Sequence, residues 1–219
     1  PQTDVAIELG GEDAKIIYFK GGLEERMNGV CAGGTGSFID QMATLLDIGV
    51  DEMDELALGA KKTYPIASRC GVFAKSDIQP LLNQGAAKSD IAASIFQAVV
   101  DQTIAGLAQE RPIEGSVVYL GGPLTFMDGL RDAFDKSLGL TGICPENSLY
   151  FVAMGAALGS DIASNSMVLS EGLEKISGYR TEGRYLSCPP LFTSKEDFAE
   201  FEARHAADKV EYQSPEGYK

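Results

Sequence analysis

The chain has 219 residues, of which 44% are hydrophobic, and its formal net charge is −14; this composition is typical of a globular protein and excludes a fibrous or disordered one. Its 18 Lys and Arg residues form no basic stripe, which excludes nucleic acid as a partner because phosphates need clustered cations. Apolar runs are too short to span a bilayer and no secretory leader opens the chain, so we expect a cytoplasmic protein without a membrane partner.

Three strands are predicted in the first 27 residues. Alternating and β-branched residues place them at 5–9, 14–19 and 23–27, and glycine pairs separate them, as in an antiparallel meander. Lys15 alternates with the buried positions of the second strand and is expected to be solvated. Because the first strand follows almost immediately after Pro1, we expect the chain to be a segment of a longer protein.

Helices are predicted for most of the middle of the chain. Helical periodicity places them at 37–47, 52–60, 74–83, 89–110, 126–138 and 148–163. Asp51, Ser76 and Ser89 are predicted N-caps, and Gly139 is predicted to end the fifth helix. Small residues in the sixth helix predict a closely packed neighbour. One further strand, at 116–120, ends at a second glycine pair.

The character of the sequence changes after residue 163. Tyr, Lys, Glu and Pro accumulate there, and an acidic, helix-like stretch with a predicted solvated face follows at 195–209. We therefore divide the chain into a domain at 1–163 and an extension or linker to a further module at 164–219. Strands mixed with helices, with glycine pairs at two strand ends, predict an α/β or an α+β fold for the first of these domains, and we favour α/β.

The four cysteines are too sparse for a disulfide scaffold in a chain of this length. Cys31 and Cys70 lie before predicted helices, whose N-terminal amides favour thiolates, and their separation of 70 − 31 = 39 residues fits ligands from two loops rather than a local knuckle. They are candidate metal ligands; the alternatives are two metal-free thiols, or a zinc site of all four cysteines without knuckle spacing. Cys144 and Cys188 are interpreted as small buried hydrophobes. The single histidine, His205, supports neither an imidazole zinc site nor a Ser-His-Asp triad.

Three glycine segments are candidate nucleotide-binding turns. They are the pair Gly10 and Gly11, the loop Gly33, Gly34, Thr35 and Gly36, and the pair Gly121 and Gly122. Glycine lets backbone amides approach a phosphate or a nucleoside closely. The first pair is equally typical of a plain hairpin turn, and the loop could instead give the chain the freedom to place Cys31. Asp13 is a candidate for holding a magnesium-bound water or the attacking water, or else it stabilises the turn.

Five blocks of sequence occur in a recognisable order. They are ELGGED at 8–13, CAGGTGSFID at 31–40, IASRCGVFA at 66–74, VVYLGG at 117–122 and GAALG at 155–159. In turn they resemble the second phosphate motif, two cysteine blocks, the adenosine motif and the closing helix of the activator ATPases of 2-hydroxyacyl-CoA dehydratases and benzoyl-CoA reductases. The resemblance implies a ribonuclease-H-like lobe of the actin, hexokinase and Hsp70 type, with a mixed sheet flanked by helices and followed by a C-terminal extension.

The resemblance also implies a set of cofactors and partners. ATP or ADP with Mg would bind at the three glycine segments, in a C-terminal nucleotide-binding lobe at 1–163 that carries a cysteine insert at 28–85. Glu8 and Asp13 match catalytic positions. Each subunit would supply two cysteines, matched here by Cys31 and Cys70, to one [4Fe–4S] cluster shared within a homodimer or with a second activator-like unit of the same chain. ATP hydrolysis would then change the angle between lobes and allow one electron to pass to a dehydratase or reductase partner.

Several positions differ from the family pattern. Glu8 stands where Asp is usual, Glu12 where Gln is usual and Leu120 where Thr is usual. A first phosphate loop would have to lie outside these 219 residues, so we expect this segment alone not to hydrolyse ATP. The alternatives are a degenerate pseudo-ATPase lobe used for dimerisation or docking, and a kinase of the same superfamily, which has no use for the two cysteines.

Overall fold

The computed structural model describes residues 3–28, 33–68, 70–160, 166–179 and 189–208. Two of the cysteines discussed above, Cys31 and Cys188, lie outside these ranges. The chain divides into two compact units at residue 160. The first unit contains all the predicted site residues.

Four strands form one sheet in the described part of the first unit. They are β1 (Val5–Leu9), β2 (Ala14–Tyr18), β3 (Glu24–Met27) and β4 (Val117–Leu120). Their order is β3-β2-β1-β4; β1 is antiparallel to β2 and parallel to β4, and β2 is antiparallel to β3. The predicted meander is confirmed. Because β1 and β4 are parallel, their carboxyl ends meet at one edge of the sheet, and the two glycine pairs follow those ends.

Helices cover the rest of the first unit and both described parts of the second. They are α1 (Gly36–Leu46), α2 (Val50–Leu58), α3 (Gly71–Asn83), α4 (Lys88–Thr103), α5 (Gly122–Phe126), α6 (Asp128–Leu138), α7 (Phe151–Gly159), α8 (Leu169–Gly178) and α9 (Lys195–Ala207). A π-helical turn, Ile104–Ala108, continues α4, and a short 3₁₀ turn, Ser148–Tyr150, precedes α7. The mixed sheet flanked by helices confirms the predicted fold class.

The main hydrophobic core lies between one face of the sheet and the helices α1, α2, α4 and α6. Helix α4 contributes many residues to it. The fully buried Ile91, Ile95 and Val99 are spaced four residues apart, so the helical period that predicted this helix is the period of its core face. Alternate strand residues point to opposite faces. Ala6 and Val118, for example, belong to a second, smaller cluster on the other face.

The continuous helical run Lys88–Ala108 corrects one expectation about membranes. Its 21 residues are long and apolar enough to cross a bilayer, so the expectation that no run reaches that length is wrong by this measure. However, 61% of its apolar stretch is buried inside the first unit. That burial is typical of the core helix of a globular domain, which passes the same test of length and composition.

The three predicted N-caps are wrong, because each helix begins before the predicted capping residue. The N-cap positions of α2, α3 and α4 are occupied by Gly49, Cys70 and Ala87. Each of these three residues has extended backbone and makes no side-chain capping hydrogen bond. The hydroxyl of Ser76 donates to the Val72 carbonyl within α3 instead. Because α3 begins at Gly71, Pro80 lies in the interior of this helix and not in its first turn.

The helix predicted at 126–138 is interrupted at Met127, which separates α5 from α6. A carboxylate on a neighbouring helix causes the break. The backbone N–H groups of Asp128 and Gly129 donate to Asp54 on α2, over 3.0 Å and 2.9 Å. Burial raises the pKa of Asp54, while the two N–H groups favour its ionised form. The end of the helix at Gly139, which has a φ of 66°, is as predicted.

Tyr119 on β4 connects the sheet to α6 through a partly buried hydrogen bond. Its hydroxyl donates to Asp135 Oδ1 over 2.7 Å, and the same oxygen accepts the Gly142 N–H over 2.9 Å. Burial, together with this bond, raises the pKa of Tyr119, so the phenol stays protonated. We expect Tyr119→Phe to lower the free energy of unfolding in urea by about 1–2 kcal/mol. Tyr150→Phe is the control: its side chain is 57% exposed and the change should have almost no effect, whereas equal effects would contradict the assignment.

Helix α7 differs from its expected environment. Its small residues predict a close neighbour, but every residue of α7 is exposed within the described part of its unit. No described atom lies within 4 Å of a Cβ placed on Gly155 or Gly159. In the second unit, α9 begins at Ser194, whose hydroxyl accepts the Asp197 N–H, and its charged residues are largely exposed, as predicted.

Candidate functional site

The turn between β1 and β2 is closed by its own backbone and braced by Asn28. The Gly10 N–H donates to the Asp13 carbonyl over 2.7 Å. Asn28 accepts the Ala14 N–H at its Oδ1 and donates from its Nδ2 to the Glu12 carbonyl. The backbone of Asp13 therefore stabilises the turn, and its exposed side chain stays available to a ligand. The sequence did not single out Asn28, because its partners lie 14 and 16 residues away.

Glu8 lies near the end of β1 and is paired across the sheet. Its carboxylate is 3.1 Å from Lys15 Nζ, and the two residues are in register on β1 and β2. Their side chains are 15% and 22% exposed, so the expectation that Lys15 is simply solvated is wrong. The pair compensates the negative charge that Glu8 would otherwise bring to an anionic ligand.

The glycine loop, residues 33–36, is clamped onto the first glycine turn. The Gly36 N–H donates to the Gly10 carbonyl over 3.0 Å, and the Ser37 N–H donates to the Gly11 carbonyl over 2.7 Å. Thr35, the N-cap of α1, is fully buried. These first amides of α1 are occupied by protein carbonyls. These two hydrogen bonds, here called the clamp, fix the position of the loop relative to the turn. If either segment moves, the other must move with it or the bonds must break.

The second glycine pair, which follows β4, lies against the end of β1 next to the first glycine turn. Gly121 has a φ of 86°, and a Cβ there would lie 2.1 Å from the Leu9 carbonyl oxygen. Gly122 begins α5. A Cβ on Gly36 would lie 3.3 Å from both the Gly10 oxygen and Pro123 Cγ. The structure thus brings together all three glycine segments, which the sequence spreads over residues 10 to 122.

A cleft of about 440 Å³ opens beside these glycines. Gly36 and Gly122 lie at its edge, Pro123, Phe126 and Met127 provide apolar surface, and Asp40, Asp51, Asp54 and Glu55 provide carboxylates. Apolar surface suits a flat ring, and carboxylate oxygens accept hydrogen bonds from hydroxyl or amino groups. This chemistry suits a nucleoside. The four carboxylates were not predicted, because nothing in their spacing distinguishes them from a solvated helix face.

Cys70 occupies the N-cap of α3 and is half-buried. It lines a second cleft, of about 200 Å³, together with Gly33, Phe38, Gln41 and Lys75, among others. The structure therefore places Cys70 next to the glycine loop that follows Cys31 in sequence, while Cys31 itself lies outside the described residues. Among the described residues, no group of three or more His, Cys, Asp and Glu side chains could hold a metal ion.

The segment that leads to Cys70 is held by polar side chains on α4. Asp90 accepts the Lys61 N–H over 2.8 Å, and Ser94 accepts the Tyr64 N–H over 2.8 Å. Both side chains are buried. These anchors set the position of an irregular segment, which has no ladder of its own. They were missed from sequence because they are 29 and 30 residues from their partners.

Cys144 is in a different environment from Cys70. Its thiol is 3.6 Å from the Leu124 carbonyl oxygen and 3.4 Å from Ser148 Oγ. The residue is half-buried and packs against the main core, close to the expectation of a small buried hydrophobe. Its sulfur makes its polar contacts with other residues of the first unit.

Comparisons with known proteins are consistent with this arrangement. The chain is 37% identical to the (R)-2-hydroxyglutaryl-CoA dehydratase activating ATPase of Acidaminococcus fermentans over 160 residues, which are 72% of this chain and 61% of that protein. It is 31% identical to the 2-hydroxyisocaproyl-CoA dehydratase activator of Clostridioides difficile, over 72% of this chain and 60% of that protein. The chain therefore spans about three fifths of the length of these relatives.

Two solved structures of activators have the same fold. The A. fermentans (R)-2-hydroxyglutaryl-CoA dehydratase component A superposes with a TM-score of 0.66 over 72% of this chain and 61% of its own. The C. difficile activator with bound ADPNP is 28% identical and superposes with a TM-score of 0.67, over 86% of this chain and 66% of its own. The sequence of residues 1–160 matches the BadF/BadG/BcrA/BcrD ATPase family. Since that match covers well over half of the 219 residues, the chain belongs to the BadF/BadG/BcrA/BcrD ATPase family.

Proposed function

We propose that this chain is the nucleotide-binding lobe of an ATP-dependent, one-electron activator of a 2-hydroxyacyl-CoA dehydratase or a related CoA-ester reductase. The observation that carries the proposal is the clamp between the glycine loop and the first glycine turn. Gly36 and Ser37 donate to Gly10 and Gly11, so the segment that follows Cys31 is tied directly to a candidate phosphate turn. A direct connection of this kind would let a change from ATP to ADP at the turn move the segment that carries Cys31.

In this proposal the nucleotide lies across the converging glycines. The phosphates face the turn at Gly10 and Gly11, where Asp13 is exposed and can hold a water or a magnesium-bound water. The nucleoside occupies the cleft beside Gly36 and Gly122. The C. difficile relative was solved with ADPNP bound, which supports a nucleotide as the ligand of this lobe.

Cys31 and Cys70 are proposed as half of the ligand set of a [4Fe–4S] cluster. Cys70 fits such a role: its thiol lies at the N-terminus of α3, whose amides favour a thiolate, and it faces a cleft shared with the glycine loop. A cluster needs four thiolates, so two from each of two copies would complete it about a twofold axis. When bound, the cluster would supply a single electron at low potential.

The proposed setting is a cytoplasmic homodimer, or a pair of activator-like units in one chain, that docks on a dehydratase or reductase. Three similar proteins are named as activators of dehydratases, which supports this partner class. Those names also favour an activator over a degenerate scaffold. We propose that Glu8 acts through its pair with Lys15, by setting the charge near the turn, rather than as a free carboxylate.

Titration with ADP–Mg and with ADPNP–Mg by calorimetry tests the nucleotide site. We expect the wild-type chain to bind both, and Gly36→Ala to bind about tenfold more weakly. A methyl group on Gly36 would press on the Gly10 carbonyl and on Pro123, so the clamp or the cleft must shift. Gly49→Ala is the matched control, because no described atom lies within 4 Å of a Cβ there. Equal affinities for the two variants would contradict the placement of the nucleotide.

A further inference from the structure

Gln102, near the end of α4, carries a polar atom that the fold leaves unsatisfied. Its Oε1 is fully buried. Among the described residues, this oxygen is the one buried side-chain oxygen or nitrogen that has no hydrogen-bond partner. Buried acceptors are nearly always paired, because losing water without gaining a donor is unfavourable. An unpaired acceptor next to a candidate site is therefore available to a donor that the loop or a ligand could bring to it.

The side chain of Gln102 lies directly against the glycine loop. A Cβ built on Gly34 would be 2.9 Å from Gln102 Cγ and 3.3 Å from Gln102 Cβ. Gly34 has a φ of 80°, so this close approach depends on glycine in both space and backbone conformation. The loop thus rests on Gln102 at Gly34 and is clamped to the first glycine turn two residues later.

The chain next to Gln102 is also unusual. Helix α4 changes to a π-helical turn at Ile104–Ala108, and single π-helical turns occur frequently at functional sites. The Arg26 side chain on β3 donates to the carbonyls of Leu107 and Ala108 in this turn. Arg26 therefore ties the strand meander that carries the first glycine turn to the same helical run that carries Gln102.

We propose that Gln102 is a positioning residue for the glycine loop: when nucleotide occupies the neighbouring site, the backbone N–H of Gly34, the loop residue that lies against this side chain, donates to Gln102 Oε1. The inference rests on the proposed function, because nucleotide is what selects the paired state. Binding at the first glycine turn displaces its carbonyls, the Gly36 and Ser37 amides follow, and the loop moves along Gln102. The bond that forms then holds the loop, and with it the segment after Cys31, in the nucleotide-bound arrangement.

Gln102→Met tests the proposal, because methionine matches the length of glutamine and lacks the acceptor oxygen. Gln97→Met is the matched control on the same helix, since Gln97 already donates to Asp101 and Ser137. Gln102→Glu keeps an oxygen acceptor in the same position. For each variant of the full chain, the melting temperature without nucleotide, the ADP–Mg affinity and the deuterium exchange of residues 33–38 are measured.

Gln102→Met should raise the melting temperature by about 2–4 °C, because it removes an unpaired buried acceptor. It should also weaken ADP–Mg binding about tenfold and abolish the ADP-induced protection of the loop, whereas Gln102→Glu retains that protection and Gln97→Met leaves binding unchanged. If Gln102 acted only through packing, its replacement would not raise the melting temperature and at the same time weaken ADP–Mg binding.

Two outcomes would overturn the inference, and a third separates it from the proposed function. Gln102→Met could bind ADP–Mg like the wild type, which leaves the proposed function intact. Gln102→Glu could lose the protection together with Gln102→Met, which shows that the oxygen is not what matters. If the wild type itself binds no ADP–Mg, the proposed nucleotide function fails, and the melting temperature decides Gln102 alone: a rise supports an unpaired acceptor against the loop, and a fall overturns it.

Discussion

Cys70→Ser is expected to abolish iron binding. Wild-type chain reconstituted anaerobically with iron and sulfide should hold about four irons per dimer, and the variant should hold essentially none, because serine is a poor substitute for a thiolate ligand. The same result is expected for Cys31→Ser. Iron and sulfide analysis, together with the visible absorption of the cluster, provides the measurement.

The position of Cys70 in the fold allows the loss of a ligand to be distinguished from a loss of stability. Cys70 makes no side-chain capping bond at the start of α3, and serine is among the preferred N-cap residues. The variant should therefore fold at least as well as the wild type, so a loss of iron would report ligation rather than unfolding. Cys144→Ser is the control: its sulfur contacts Leu124 and Ser148 within the fold, and the variant should keep its iron. Colourless wild-type protein, or iron retained by Cys70→Ser, would refute the cluster.

The second large effect is expected for Gly121→Ala. Its φ of 86° is strained for alanine, and the new methyl group would lie 2.1 Å from the Leu9 carbonyl oxygen. The methyl carbon is fixed directly by the backbone of residue 121, and the Leu9 oxygen belongs to backbone at the end of the adjacent parallel strand, so neither can turn aside as the end of a flexible side chain would. Strain and overpacking each cost about 1–3 kcal/mol, so we expect a loss of about 3–5 kcal/mol in the free energy of unfolding. Chemical denaturation measures it.

Gly139→Ala separates the two contributions. Gly139 has a φ of 66° at the end of α6, but no described atom lies within 4 Å of a Cβ there. It should therefore lose only the conformational part, about 1 kcal/mol. The difference between the variants then measures how closely the second glycine pair presses on β1. If Gly121→Ala is no worse than Gly139→Ala, the close approach of the two turns is wrong.

Local sequence was enough to locate most elements of the fold. The meander of β1, β2 and β3 follows from alternating residues and glycine turns, and the core stripe of α4 follows from its period. The ends of helices were less predictable. The helix predicted at 126–138 is divided by the Asp54 carboxylate, a partner more than 70 residues away in sequence. A side chain that distant leaves no trace in local periodicity.

The sequence by itself determined the family and the segments proposed to bear function: glycine pairs after two strands, a glycine loop and two cysteines, in an order that the family shares. These signals are local, because glycine is required by backbone geometry and cysteine by its chemistry. Only the tertiary structure decided how the segments act on one another. It pairs Glu8 with Lys15, clamps Gly36 to Gly10 and leaves Gln102 against Gly34 without a donor. Such contacts depend on which strands are parallel neighbours and which helix lies beneath the loop, and packing across the whole unit decides both.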